Sequence, residues 1–479
     1  MPRRKFGMND PLTLDALQRS DLSLAAPFSL QASGLDNMVC EEIYRHLPGR
    51  RLVFRTHWGG AHVLVKLFFR RKDFDRERSG LLAMQNAGIP CPGEVWILKD
   101  GSGKSGDFLA TVFLEGAVSL RQIYASQPRE AMPALLSDAV AMIGRLHRAG
   151  VMQADIHLDN FLSRDGSLFM IDGGGIQPLK KPLHNLAMFF AQMVPEYDQL
   201  MPEVIQAYGV GAPEPEQLQP LIARMREKRI RHYLAKTIRD CTQFQRLKVR
   251  GAFVVMARQR VTDRLLQVIT QPEVAVGQAT FLKRGNTATV MKLAGDSGSW
   301  VLKRYNIKDV WHGMRRAFRR SRAWISWQNA YRLEQLGIAT PRPLAMRENR
   351  AGLFRQEAYL VTEWSSGESL QAWLLRYGPA GIPDWLDREV TRLFAIMWLG
   401  RISHGDMKAT NLIVCGEQLQ LIDLDALHRH RCKGFFKTAY GRDLQRFMDN
   451  WQGNTWQHFE QLLRPYASQC GIKLINKKV

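Results

Sequence analysis

The chain has 479 residues, room for two or three domains, and its 45% hydrophobic and 23% charged content is that of a globular protein. No apolar run approaches the ~18–20 residues of a spanning helix, and the basic start has no apolar stretch behind it, so neither a membrane span nor a secretory signal is expected. A formal net charge of +22 favours a polyanionic partner, and six scattered cysteines with no C-x-x-C pair are expected as reduced thiols in the cytoplasm.

Residues up to about 30 read as a polar lead-in. From Arg51, L-V-F-R-T-H-W-G-G-A-H-V-L-V-K-L-F-F predicts a β-hairpin about Gly59-Gly60, with Lys66 on its second strand. A lysine on an apolar strand is also at home as an edge residue that lays its stem on apolar surface. Residues 73–87 predict a helix capped by Asp73, with Leu81, Leu82 and Met84 on one face. Glu77 on that helix is either a partner for Lys66 or a solvated charge. Gly88 ends the helix, and Pro90 and Pro92 force an extended exit. An apolar strand over 108–114 runs to Gly116, and an amphipathic helix over 131–149 leads to Q-A-D-I-H-L-D-N-F-L-S-R-D-G-S-L-F-M-I-D, residues 153–172.

Residues 183 to about 250 are expected to be helical with a Pro-rich break near 211–220. The basic runs at 224–231 and 248–264 are either solvated faces or a surface for an anionic partner. From about Thr280, two strands are expected, the second carrying Lys303. A helix over 310–333 is loaded with Arg315, Arg316, Arg319, Arg320 and Arg322 and has no acid to pair with that lysine. A strand over 359–364 and a helix over 389–399 follow. They lead to S-H-G-D-M-K-A-T-N-L-I-V-C-G-E-Q-L-Q-L-I-D, residues 403–423, which reads as loop, strand, turn at Gly416-Glu417, and strand.

The two long motifs are copies. Asp155, Asn160 and Asp172 precede Asp406, Asn411 and Asp423 by 251 residues, as Thr111 precedes Thr362, and Gly88 precedes Gly337 by 249. A nearly constant offset across three motifs signals duplication of one domain, and two copies of this length mean two globular units rather than a solenoid.

Asp and Asn are common in turns for local reasons. Their spacing here, D-x4-N with a further Asp at the next strand end, is that of the kinase catalytic loop. In that chemistry the first Asp orients a hydroxyl, and the Asn with the second Asp holds Mg²⁺ on the phosphates. On this reading the catalytic candidates are Asp406, Asp155, His404 and Lys408, the last placed to steady the transferring group, with His157 in its place in the first copy. The metal candidates are Asn411, Asp423, Asn160 and Asp172. Lys303, Lys66 and Glu77 would serve the nucleotide, and the backbones of Val112, Leu114, Glu363 and Ser365 would meet its base. No G-x-G-x-x-G precedes either lysine, so a phosphate-covering loop has no sequence address.

The two β3-type lysines, G-I-P-C-P and G-I-A-T-P-R-P, Q-A-D-I-H-L-D-N and H-G-D-M-K-A-T-N, then I-D-G-G-G and I-D-L-D, resemble the lipopolysaccharide core kinases, the Kdo/heptose kinase family of the protein-kinase-like fold. The resemblance implies an α+β architecture of two tandem kinase-like domains, each with a small β-rich N-lobe and a mainly helical C-lobe. The expected boundaries are 30–230 and 271–479, with a helical, basic connector over 231–270. It further implies ATP and Mg²⁺, a heptose or Kdo hydroxyl of the lipopolysaccharide inner core as acceptor, and work at the cytoplasmic face of an inner membrane with an anionic surface. The departures are Gln153 where the loop usually has His, Gly173 where D-F-G has Phe, and D-L-D in the second copy, whose H-G-D-M-K-A-T-N is the fuller loop.

Two other readings compete. A phosphotransferase for a small cationic acceptor needs an acidic pocket, which the basic chain disfavours; a pseudokinase pair acting as a membrane scaffold would bind nucleotide without turnover. Specific nucleic-acid binding rests on charge alone and has no recognition motif beside it.

Overall fold

The computed structural model describes residues 12–19, 24–32, 35–99, 106–296, 298–306, 320–352, 354–378 and 381–476. The chain divides into two compact units, residues 1–192 with 197–225, and residues 193–196 with 226–479. The boundary falls inside the helix Pro215–Lys236.

The first unit is built on a five-stranded antiparallel sheet, ordered Glu42–Leu47, Arg51–Trp58, Ala61–Phe68, Asp107–Val112, Glu94–Leu98. The Gly59-Gly60 hairpin forms as the sequence predicts, both glycines taking the positive φ that a tight two-residue turn demands. The strand Glu42–Leu47 was not expected: E-I-Y-R-H-L alternates only loosely, and the Pro48-Gly49 turn is its clearest signal. The lead-in is more than a tail. Leu12, Leu14, Leu17 and Leu30 bury themselves with Phe54, Val65 and Phe108, so the first unit's core begins before residue 30.

The helix Arg71–Asn86 follows the sheet, with Gly88 in the left-handed region past its end. Asp73 is not its cap: Arg70 holds that place without a side-chain bond, and Asp73 lies in the first turn beside Arg50 and Arg76. The helix Met132–Arg148 delivers the chain to the Asp155 loop, whose hairpin is Phe161–Arg164 with Ser167–Met170.

The second unit holds a seven-stranded antiparallel sheet, ordered Phe244–Val249, Ala252–Ala257, Pro343–Ala351, Phe354–Glu363, Gly298–Tyr305, Ala288–Gly295, Thr280–Arg284. Two expectations fail here. The supposed helical connector over 231–270 contributes two strands to this sheet, because F-Q-R-L-K-V alternates at a period of two and A-F-V-V-M-A is a buried run, joined at Gly251. Residues 280–292 are also two strands rather than one, folded back at Gly285.

The next helix is described as Arg322–Leu336, capped by the Ser321 hydroxyl and closed by Gly337 in the left-handed region. Of the arginines expected on it, Arg315, Arg316 and Arg319 lie outside the described residues. The helix Asp384–Gly400 precedes the Asp406 loop, the hairpin Leu412–Cys415 with Gln418–Leu421 follows, and Lys433–Met448 and Gly453–Cys470 complete a helical half.

Candidate functional site

In each unit a lysine strand, a catalytic-type loop and an acid at the end of a hairpin converge. The loops share one internal geometry. The Asn160 side chain donates from Nδ2 to the Asp155 carbonyl at 2.9 Å, and Asn411 donates to the Asp406 carbonyl at 2.9 Å. The Ile171 N–H donates to the Asn160 carbonyl and the Ile422 N–H to the Asn411 carbonyl, again 2.9 Å in both. Asp172 and Asp423 both sit in the left-handed region, φ 69° and 63°, a conformation uncommon for a residue with a Cβ. An Asn that spends its amide nitrogen inside the loop keeps its amide oxygen for another partner. That oxygen and the neighbouring Asp offer the hard oxygen ligands that Mg²⁺ prefers, so the residues present fit such an ion.

The first unit assembles a buried charge cluster. Lys66 pairs with Glu77, which is 3% exposed and whose Oε2 accepts the Gly174 N–H at 3.0 Å. Arg51 lies 3.7 Å from Glu77 and 3.8 Å from Asp172. Burial pushes the Glu77 carboxyl up, but the charge of Lys66, its hydrogen bond and Arg51 together hold it below the usual carboxylate range. Burial and the adjacent Glu77 push Asp172 the other way. Gln153 takes over an anchoring task expected of a histidine, donating from Nε2 to the Asp172 carbonyl at 2.8 Å. The run of glycines at 173–175 has a steric cause: a Cβ on Gly173 would meet the Glu77 carbonyl at 2.3 Å, and one on Gly80 would meet the Gly173 carbonyl at 1.9 Å. His157 Nε2 lies 2.8 Å from the Asp155 carboxylate.

The second unit reaches a similar layout with other residues. Lys303 pairs directly with Asp423. Burial alone would lower the lysine's pKa, but Tyr305, Asp423 and Asp425 raise it; burial alone would raise Asp423, but Lys303, His404 and Arg322 lower it. Lys408 Nζ lies 2.8 Å from Asp406 Oδ2, and Arg446 Nε 3.4 Å from Oδ1. His404 is fully buried, its Nε2 2.9 Å from the Ile422 carbonyl. Asp443, on the helix Lys433–Met448, accepts the N–H groups of His404 and Gly405 and so fixes the loop's entry. Burial raises its carboxyl to about 6 against those bonds.

The expected base-contacting backbone is partly committed elsewhere. The Val112 N–H donates to the Gly93 carbonyl and the Glu363 N–H to the Arg342 carbonyl, both at 3.0 Å, so neither donor is open to a ligand. The sheet's own pairing takes them, because both residues lie at strand ends rather than past them. The Leu114 carbonyl accepts the Ala117 N–H at 3.2 Å, and the Ser365 hydroxyl donates to the Gln420 side chain at 2.9 Å.

A cavity of about 300 Å³ in the first unit is lined by the acids Asp73, Glu77, Asp155 and Asp172 together with Arg45, Arg50, Arg51 and Arg76. Three of those arginines come from the Glu42–Leu47/Arg51–Trp58 hairpin. Sequence reasoning missed these arginines, Asp443 and Arg446. Arg45 needed the unforeseen strand, Arg51 and Arg76 stand on predicted elements but declare no partner, and Asp443 is legible only as the one acid of the helix Lys433–Met448.

A model of the "Lipopolysaccharide kinase (Kdo/WaaP) family" matches residues 55–172 and 268–466. Among curated proteins none matches. Among solved structures, "WaaP in complex with acyl carrier protein" is 21% identical over 40% of this chain and 88% of its own, with a TM-score of 0.33. "Structure of vaccinia related kinase 3" is 10% identical over 34% of this chain and 56% of its own, with a TM-score of 0.25. No helix among the described residues is long and apolar enough to cross a membrane. The family match spans more than half of the sequence and takes in the lysines, loops and acids of both units, so the chain belongs to the lipopolysaccharide kinase (Kdo/WaaP) family.

Proposed function

We propose that this protein is an ATP-dependent kinase that phosphorylates a sugar hydroxyl, heptose or Kdo, of the lipopolysaccharide inner core at the cytoplasmic face of the inner membrane. On this reading the two units are tandem kinase-like domains and the second performs transfer. The observation that carries it is the repeated clamp, Asn160 on Asp155 and Asn411 on Asp406, each beside an Asp held in the left-handed region. Bound ATP supplies the phosphoryl group, and a divalent cation neutralises its charge. Asp406 orients the acceptor hydroxyl and takes its proton, while Lys408, 2.8 Å away, supplies the positive charge nearest that carboxylate. Asn411 and Asp423 would hold the cation, and Lys303, paired here with Asp423, would serve the phosphates. In the first unit Asp155, Asn160, Asp172, Lys66 and Glu77 take the corresponding places. With the Val112 and Glu363 donors taken, Leu114 and Ser365 are left to offer an N–H to the base.

The test is ATP-dependent phosphate transfer to purified, dephosphorylated lipopolysaccharide core, comparing the wild type with the Asp155→Ala/Asp406→Ala double variant. Transfer by the wild type and none by the double variant is expected. Nucleotide binding without transfer to any core would overturn the kinase reading in favour of a scaffold.

A further inference from the structure

Residues 426–442, immediately after the second unit's D-L-D, contain five Lys or Arg and no Asp or Glu. At the start of the helix Lys433–Met448 this segment also presents Phe435, 75% exposed, between Lys433 and Lys437. A single exposed phenylalanine is ordinary, but one that adjoins further exposed apolar groups and cations marks an interaction face. Its neighbour Phe436 goes inward, packing against Trp398 and Tyr440 with ring centroids 5.2 and 5.3 Å away. Trp398 is itself only half-buried, and the next residue, Leu399, is 44% exposed. Arg401 bonds back to the Arg431 carbonyl at 3.3 Å, which brings the two chain segments together. Exposed Phe435, half-buried Trp398 and exposed Leu399 thus stand on neighbouring segments that also carry Arg401, Arg431, Lys433 and Lys437.

That face is continuous with the catalytic loop. The pair Ile402–Ser403 bonds to His428–Arg429, and the helix that exposes Phe435 also carries Arg446, which touches Asp406, and Asp443, which holds the loop's backbone. We propose that this face, centred on Phe435 with Arg431, Lys433 and Lys437 and flanked by Trp398 and Leu399, docks on an anionic lipid bilayer and presents the Asp406 loop to a lipid-borne acceptor. The inference rests on the proposed lipid-linked substrate. Charge complementarity selects the occupant: an unbroken cationic stretch matches a negative headgroup layer, and an aromatic wedge with a half-buried tryptophan suits the interface between headgroups and acyl chains. An acidic protein would meet the cations but gives Phe435 no such layer to enter.

The experiment is co-sedimentation of the full chain with phosphatidylcholine vesicles, with and without one quarter phosphatidylglycerol, alongside phosphate transfer to a delipidated, soluble core oligosaccharide. Wild type is expected to bind the anionic vesicles and to be released by salt. Each removed charge should cost about fivefold in partition. Phe435→Ala should cost roughly tenfold, and Lys433→Glu/Lys437→Glu more than the corresponding alanines. All variants should phosphorylate the soluble acceptor at the wild-type rate. Wild type that ignores anionic vesicles, or variants that bind as it does, would overturn the proposal and pass the face to an acidic protein. Vesicle binding that follows the variants while no soluble acceptor is phosphorylated leaves the docking face standing and removes the kinase reading instead.

Discussion

The two units join helix to metal-type loop in opposite ways. Glu77 and Gly80 stand as far before Gly88 as Ser326 and Asn329 stand before Gly337. In the first unit Gly80 and Gly173 let two backbones meet, and Glu77 fills the remaining space with a charge shared between Lys66, Arg51 and the Gly174 N–H. In the second unit side chains make the join. Asn329 reaches across and donates to the carbonyls of Leu424 and Leu427, both at 2.9 Å, and Arg322 pairs with Asp425. Ser326 bonds Tyr305 at 3.0 Å, and Lys303 pairs with Asp423. One unit therefore holds its lysine by a helix carboxylate and leaves Asp172 beside Arg51. The other holds its lysine by the very acid proposed to bind metal, so that a cation and a lysine compete for one carboxylate.

The sharpest break between the units concerns chemistry. If the second unit transfers phosphate, Asp406→Ala should lower the rate of transfer to lipopolysaccharide core by about 10²–10⁴-fold, the usual worth of a positioned acid or base. Asp155→Ala should leave the same phosphorylation within a few-fold. Mapping the phosphates on the product by mass spectrometry decides it. If each single variant erases a different phosphate, the chain is two kinases; loss with Asp155→Ala alone reverses the assignment.

The next difference is in stability. Removing one partner of a buried ion pair leaves the other charge uncompensated, at about 3–5 kcal/mol. Glu77→Ala strands Lys66, whose side chain is 13% exposed, and also releases the Gly174 N–H. It should cost that much in chemical denaturation of the first unit. Ser326→Ala, at the matching place in the second, forfeits only a hydroxyl bond to Tyr305 and should cost about 1 kcal/mol. Equal costs would mean that Glu77 is no more than a packing residue.

How much of this could be read beforehand follows from which interactions are local. The clamp of Asn on Asp lies within one short loop, so D-x4-N announced it in both units, and the hairpins behind it were set by apolar runs and a turn. Gly88 is legible as a helix stop for the same reason, and Gly337 as its counterpart in the second copy. The pairing of Lys66 with Glu77 was one of two open choices, because an acid on a helix declares no partner until the helix docks. Arg45 and the turn residue Arg50 stayed hidden because the strand Glu42–Leu47 alternates poorly and pairs through sheet contacts outside its own sequence, while Arg51 stood on a predicted strand with no sign of what it would face. In the second unit, Lys303's partner lies 120 residues away and Asp443 acts on a loop 39 residues before it; no local pattern encodes either. The basic run near 250 alternates at a period of two, but that alternation yields a strand only because the sheet beside it supplies a partner.

Asp443 gives the most specific difference. Its carboxyl is 2% exposed and titrates at about 6, against 3.8 for an ordinary Asp, because burial outweighs the two N–H groups and Arg442 that favour its charge. The folded second unit thus holds a proton that the unfolded chain has lost between pH 4 and 6. The resulting stabilisation is complete below about pH 4 and disappears as pH rises through 6, worth about 3 kcal/mol at 1.36 kcal/mol per pH unit. The first unit has no carboxylate at the matching contact; Asn185 donates from Nδ2 to the Gln153 carbonyl at 2.7 Å instead and does not titrate. Tryptophan fluorescence separates the two, since only Trp58 and Trp96 of the twelve tryptophans lie in the first unit. Urea midpoints read from that signal should fall from pH 4.5 to 6.5 in the wild type beyond the change shown by Asp443→Asn, whose neutral amide keeps an acceptor for the His404 or Gly405 N–H. The same slope in both proteins would assign the pH dependence to other groups and leave Asp443 ionised throughout.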